Sequence, residues 1–292
     1  MAKTIAKAFD EFYDKLIPTS AQKDTISSRR TKTHDYLQKE FGSDSDMPLL
    51  ETTLIGSAAR NTIIRPIDDI DVLAVFSDEN DVYEDKYQYN SQDFLQRIRS
   101  ALNEYQIQTV GARGQAVRLF YQQKPHVDIA AVFRESDGVY LLPAGDGSWI
   151  RTSPSTQKDW LKQRADLIGA AYFRKVTRLL KRWNSEHGNR FKSFHLEVLI
   201  ATLFTSLDGD SREALALFFE NAYGMLGVQD PAGFGGDLSS YMTWDERQSL
   251  NSRLSNAASR ARNAISAAQN GNHEEAIRLW RIELGDEFPT YG

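Results

Sequence analysis

The sequence of 292 residues predicts an α+β protein in two lobes, a mixed-sheet lobe with flanking helices over residues 1–155 and an all-helical lobe over residues 156–292. Three observations lead there. Residues 54–76, LIGSAARNTIIRPIDDIDVLAVF, read as two strands, the first delivering a Gly-Ser turn and the second an Asp-Ile-Asp pair. Residues 115–121 and 125–133 read as a strand pair, with Val117, Leu119 and Tyr121 alternating in the first. Past a Pro-, Gly- and Ser-rich stretch at 142–157 the apolar period changes to about 3.6 and holds through the C-terminal half.

Taken in order, residues 5–16 show helical spacing in Phe9, Phe12, Tyr13 and Leu16, and a second helix is expected over 22–41, with Pro18 between the two as a breaker. Residues 42–46 are a loop by composition, and 78–90 form a polar, acidic, exposed connection. A helix from Ser91, with Ser91 as its N-cap, aligns Phe94, Leu95, Ile98, Leu102 and Tyr105 on one face and covers the sheet. In the C-terminal half one long helix, or two joined pieces, spans 158–184. Further helices follow at 194–207, 212–226, 246–269 and 274–284.

Composition excludes several classes. With 41% hydrophobic and 26% charged residues the chain is an ordinary globular one, so disordered, collagen-like and coiled-coil readings fall away. No apolar run approaches the ~20 residues of a membrane span, and the first residues carry acids where a signal peptide needs an apolar segment. A cytoplasmic protein is expected. The absence of cysteine removes disulfides, thiolate zinc sites and cysteine nucleophiles. A net charge of -5 argues against a dedicated duplex-DNA binder, yet residues 148–192 hold eleven Lys/Arg against three Asp/Glu. Such a basic segment attracts anionic ligands, while its outward-facing half reads as a solvated helix face. The five histidines are scattered with no metal-ligand spacing, and the aromatics at helical spacing read as core.

The chemistry concentrates in residues 54–76. Successive side chains of a strand point to opposite faces, so Asp69 and Asp71 share a face, Ile70 and Val72 take the other, and Asp68 alternates out of the site. Two adjacent carboxylates repel each other unless a cation compensates. Magnesium suits them, because it accepts one or two carboxylates and completes its shell with water and substrate phosphates. Gly56 lets backbone approach a phosphate closely, and the Ser57 hydroxyl with nearby N–H groups can donate to its oxygens. Asp128, flanked by Val127 and Ile129 on the opposite face, is a lone carboxylate in an apolar strand. That position is costly unless it is paired or bound to metal, and Asp128 is therefore the third ligand candidate.

Gly56-Ser57, Arg60, Thr62, Arg65-Pro66 and Asp69-Ile70-Asp71-Val72-Leu73 resemble the signature of the polymerase-beta-type nucleotidyltransferases. Within these, the chain is similar to the bacterial cyclic-oligonucleotide synthases related to cyclic GMP-AMP synthase and oligoadenylate synthase, the CD-NTases of CBASS antiphage defence. The likeness covers nearly the whole chain: His126-Val127-Asp128, residues 149–154, residues 179–184, residues 192–197 and the closing residues 280–289 all take part. The resemblance implies a bilobed polymerase-beta-like fold with Mg²⁺-dependent joining of nucleoside triphosphates into a cyclic di- or trinucleotide. Two ions, for which Mn²⁺ can substitute, are held by Asp69, Asp71 and Asp128. It also implies that Lys181 and Ser193, on the helical lobe, hold the triphosphate from the side opposite Gly56-Ser57. The implied substrates are ATP, GTP, UTP or CTP, the implied partners are regulatory proteins of a defence operon, and the terminal Gly292 suits conjugation through its carboxylate. Two readings stay open beside this one: a templateless enzyme making linear products or modifying another acceptor, and a nucleotide-binding protein without catalysis.

Overall fold

The alternating runs fold as the strands of one mixed sheet, and the 3.6-period runs fold as helices. The computed structural model describes residues 1–105, 107–207 and 209–292. In chain order the helices are α1 (Ile5–Leu16), α2 (Ser20–Glu40), the one-turn α3 (Gly56–Ala59), α4 (Ser91–Leu102), α5 (Pro154–Ile168), α6 (Ala170–Glu186), α7 (Ser193–Leu203), α8 (Ser211–Ala222), α9 (Trp244–Gln269) and α10 (His273–Leu284). The strands are β1 (Leu49–Leu54), β2 (Asp69–Phe76), β3 (Thr109–Arg113), β4 (Ala116–Phe120), β5 (His126–Ser136), β6 (Val139–Pro143) and β7 (Trp149–Thr152). The chain divides into a sheet unit, Pro18–Asn61 with Pro66–Gln157, and a helical unit, Met1–Ile17 with Thr62–Arg65 and Lys158–Gly292. Residues 1–17 and 62–65 belong to the helical unit in this division.

In the sheet unit the strand order is β1-β2-β5-β4-β3, and the far half of β5 pairs with β6, which pairs with β7. The pairing β2–β5 is parallel and the others are antiparallel. One face of the central strands, Ile70, Val72, Ala74 and Phe76 beside Val127, Ile129, Ala131 and Phe133, is fully buried. Aromatic rings close this core. The ring centres of Phe94 from α4 and Phe133 lie 4.5 Å apart, and those of Phe94 and Phe76 lie 5.6 Å apart. The opposite face carries Leu73, Val75 and Val132 in a smaller cluster, and toward the strand starts it ends in Asp71, Asp69 and Asp128.

Local chemistry moves some predicted boundaries. Helix α2 begins at Ser20 because Thr19 and Gln22 form a reciprocal capping box. Asn90, not Ser91, caps α4: its side chain accepts from the Gln92 N–H, while Ser91 is fully buried and donates to the Ala144 carbonyl. Tyr105 lies beyond the end of α4 and stacks on Tyr36, ring centres 4.3 Å apart. Within the stretch 142–157, β7 pairs with β6 in a hairpin that extends the sheet, and α5 begins. In the helical unit the second of the two expected forms holds, two joined helices, α5 and α6, divided at Gly169, whose φ of 96° only glycine adopts readily. Phe9 of α1 packs edge-on against Trp280 and Phe288, at 5.1 and 5.2 Å between ring centres.

The connection at 78–90 is stapled by Asp78, whose carboxylate accepts from the Tyr83 N–H at 2.7 Å. Burial, helped by the neighbouring charges of Glu84 and Asp81, pushes its pKa up from 3.8 to about 6. The folded protein therefore holds a proton that the unfolded chain releases, so stability is fully present below 3.8 and declines as pH rises through about 6. Asp78→Asn keeps the acceptor and removes the partly buried charge. Thermal unfolding should show the variant more stable than wild type at pH 8 and nearly equal to it at pH 4.

Candidate active site

Strand register assembles the acidic face. In the parallel pair β2–β5, Asp71 stands beside Asp128, and Asp69, beside His126, lies one pleat earlier on the same face. On the other side of β5, Arg118 of β4 stands opposite Asp128 in the antiparallel pair. A row Asp71, Asp128, Arg118 therefore crosses three strands, with Asp69 next to it. All four side chains are partly exposed, while their strand neighbours on the reverse face are buried. Asp68, just before β2, is exposed and pairs with Lys124.

Strand β1 feeds the Gly-Ser turn directly onto Asp71. Leu54 pairs with Val72, and the Ile55 N–H donates to the Asp71 carbonyl at 3.0 Å. Gly56 then turns at φ 64°, and a Cβ placed there would sit 2.0 Å from Asp71 Oδ2. Both backbone conformation and space demand glycine, because any side chain would push the carboxylate out of position. Ser57 follows within α3, half-buried beside this turn.

The residue that the sequence reading missed is Arg118. Its Nε donates to Asp128 Oδ1 and its Nη2 to Asp128 Oδ2, while the same Nη2 reaches Asp69 Oδ2 at 2.8 Å. The hydrogen bonds to Asp128, with the charges of Asp128 and Asp69, hold the guanidinium even more firmly protonated than an ordinary arginine. Its signal in the sequence is an arginine at an alternate position of an apolar strand. Which carboxylate it faces depends on the β4–β5 register.

Three carboxylates on one face form a hard-oxygen donor set, and the glycine turn leaves Asp71 room to act in it; both features fit divalent ions of the magnesium type. Among the described residues, however, no three His, Cys, Asp or Glu side chains converge as a metal-binding group. The strand register sets Asp69, Asp71 and Asp128 on one face. The Arg118 guanidinium spans Asp69 and Asp128.

The two candidate residues of the helical unit differ from each other. Ser193 is exposed at the first position of α7. Lys181, on α6, is 6% exposed and pairs with the fully buried Glu197 of α7 at 2.6 Å. Thr62 completes this group: its hydroxyl donates to Glu197 Oε1 at 2.8 Å and accepts from Lys181 Nζ at 3.1 Å. The lysine read from the sequence as a phosphate ligand is therefore also the centre of a buried polar triad, which ties the segment after the glycine turn to the helices.

A mixed sheet with paired aspartates on one strand, a third on its parallel neighbour and a glycine turn against them defines a nucleotidyltransferase of the polymerase-beta type. Enzymes of this class are generally metal-dependent. The profile of the family described as "Second Messenger Oligonucleotide or Dinucleotide Synthetase domain" (SMODS) matches residues 3–165, and the chain belongs to that family. A probable cyclic nucleotide synthase of Bacillus cereus is 24% identical over all of this chain and 99% of its own length. A cyclic AMP-AMP-AMP synthase of Acinetobacter is 26% identical over 98% of this chain and 86% of its own. Among solved structures, Escherichia coli CdnC with ATP superposes with a TM-score of 0.79 at 20% identity, covering 97% of this chain and 98% of that one. Vibrio cholerae DncV, a cyclic AMP-GMP synthase bound to a linear intermediate, gives 0.77 at 16% identity, covering 99% and 97%. Among the described residues, no helix is long and apolar enough to cross a membrane.

Two outcomes follow from this geometry. Gly56→Ala should displace the Asp71 carboxylate and cut kcat by about a hundredfold, the scale of an ångström misplacement at a reacting centre, while circular dichroism stays native. Glu197→Ala removes the carboxylate that balances the buried Lys181 ammonium and should cost about 3–5 kcal/mol in urea unfolding, whereas a loss below about 1 kcal/mol would mean that the pair behaves as a surface one.

Proposed function

We propose that the protein joins nucleoside triphosphates into a cyclic di- or trinucleotide second messenger in bacterial antiphage defence, releasing one pyrophosphate per bond formed. The observation that carries the reading is the β2–β5 register, which sets Asp128 beside Asp71 with Asp69 on the same face. In each transfer a ribose hydroxyl of one nucleotide attacks the α-phosphorus of another. A P–O bond forms, the α–β anhydride breaks, and the hydroxyl proton is lost to the site. Repeating the transfer on the linear product closes the ring.

The proposed cofactor is a pair of Mg²⁺ ions, replaceable by Mn²⁺, held by Asp69, Asp71 and Asp128. When bound, such ions acidify the attacking hydroxyl and neutralise charge on the departing pyrophosphate. Asp69 and Asp71 would hold the ions together with Asp128, which would serve the acceptor side. The Gly56-Ser57 turn offers backbone N–H groups and a hydroxyl to the triphosphate oxygens. On the helical unit, Ser193 and Lys181 are proposed as further donors to these oxygens. ATP is the substrate to test first, since relatives spanning most of the chain are cyclic AMP-AMP-AMP synthases. E. coli CdnC is known in complex with a HORMA protein, which supports a regulatory partner of that kind here.

Incubation with the four triphosphates and Mg²⁺ should yield a product that resists phosphatase and has the mass of a closed ring; a phosphatase-sensitive ladder would overturn ring closure. The double variant Asp69→Asn with Asp71→Asn should remain folded and release no pyrophosphate. Turnover retained in that protein would overturn the metal assignment.

A further inference from the structure

We propose that Arg118 is a built-in counter-cation that closes Asp69 and Asp128 to divalent metal until nucleotide arrives. The proposal rests on the assignment of the aspartates to metal binding. Three carboxylates on one strand face repel one another in the absence of a cation, and the fold supplies one from the next strand. The guanidinium takes both oxygens of Asp128 and Oδ2 of Asp69. An ion joining the two carboxylates would compete with the guanidinium for these same oxygens. Guanidinium and metal therefore exclude each other at Asp128, because the planar fork of an arginine matches one carboxylate completely.

The block is built to be reversible. Arg118 is 37% exposed on its side chain, so it can swing away without leaving a cavity in a packed core. Phe120, two residues along the same face of β4, lies 5.8 Å from the guanidinium carbon and offers an apolar surface to rest against. A triphosphate provides what free metal lacks, namely oxyanions that accept the same bidentate hydrogen bonds. Nucleotide would then draw Arg118 from the aspartates as it delivers its own bound cation. Metal and nucleotide binding become positively coupled, and by linkage each strengthens the other equally.

The test measures Mn²⁺ binding by electron paramagnetic resonance, alone and with the non-hydrolysable analogue α,β-methylene-ATP, on full-length wild type, Arg118→Ala and Arg118→Lys. Circular dichroism checks the fold of each. Arg118→Ala should bind Mn²⁺ alone at least about tenfold more tightly than wild type, the equivalent of one lost charge-assisted hydrogen bond, and the analogue should tighten Mn²⁺ binding less in the variant than in wild type. Arg118→Lys keeps the charge but lacks the fork, and it should follow Arg118→Ala. If Arg118→Lys instead behaves as wild type while Arg118→Ala binds tightly, net charge alone is responsible and the proposal falls. Equal Mn²⁺ affinity in wild type and Arg118→Ala also overturns it. Asp69→Asn separates the two levels: if this variant loses Mn²⁺ while Arg118→Ala leaves affinity unchanged, only the Arg118 role fails. If Asp69→Asn binds Mn²⁺ as wild type does, the metal assignment fails and takes this proposal with it.

Discussion

The parallel pairing of β2 with β5 is the constraint from which the site descends. Eight consecutive residue pairs, from Asp69 with His126 to Phe76 with Phe133, run in one unbroken register. A slip of one residue in β5 would exchange its faces, turning Asp128 into the apolar core and Val127 or Ile129 toward Asp71. What forbids the slip is the rest of the two strands: Val72, Val75, Phe76, Ile129, Val132 and Phe133 are essentially inaccessible to solvent. Each such side chain contributes roughly 1.5–3 kcal/mol by burial, far more than any single polar contact at the strand starts. Apolar packing at one end of the strands thus positions the acids at the other.

Having placed three acids together, the fold must manage their charge. Arg118 does this from the neighbouring strand, and the arrangement is half-exposed, where ion pairs are weak individually and exchange with solvent. The contrast with Lys181 and Glu197 is instructive. That pair is buried with Thr62, so neither charge can be removed without leaving the other stranded. The first arrangement is suited to being replaced by a ligand and the second to holding a segment in place.

The helical unit shows the same logic around Glu283. This buried carboxylate accepts from the Trp183 indole at 2.8 Å and pairs with His187 and Arg260. Burial alone would raise its pKa, but the hydrogen bonds from His187, Trp183 and Arg260 outweigh it and keep the carboxyl below its ordinary value. A charged α10 residue is thereby tied to α6 and α9 inside a core of Trp183, Trp280 and Phe219. His195, by contrast, is pushed down by burial, its ring nitrogens engaged by the Leu226 carbonyl and the Tyr241 hydroxyl, which fits a packing residue rather than a ligand.

The sequence by itself determined what depends on local period and backbone freedom. Asp69 and Asp71 share a face because strands alternate, and the helical period of the C-terminal half is written in its apolar spacing. Tertiary structure decided everything that depends on which strand or helix lies alongside. The register of β4 against β5 set Arg118 on Asp128, and the packing of α6 on α7 buried Lys181 against Glu197. The β6–β7 hairpin and the place of Met1–Ile17 among the helices were settled in the same way. A side chain's face is written in its neighbours along the chain, but its partner comes from residues ten to well over a hundred positions away, brought near only when the apolar surfaces between them are buried.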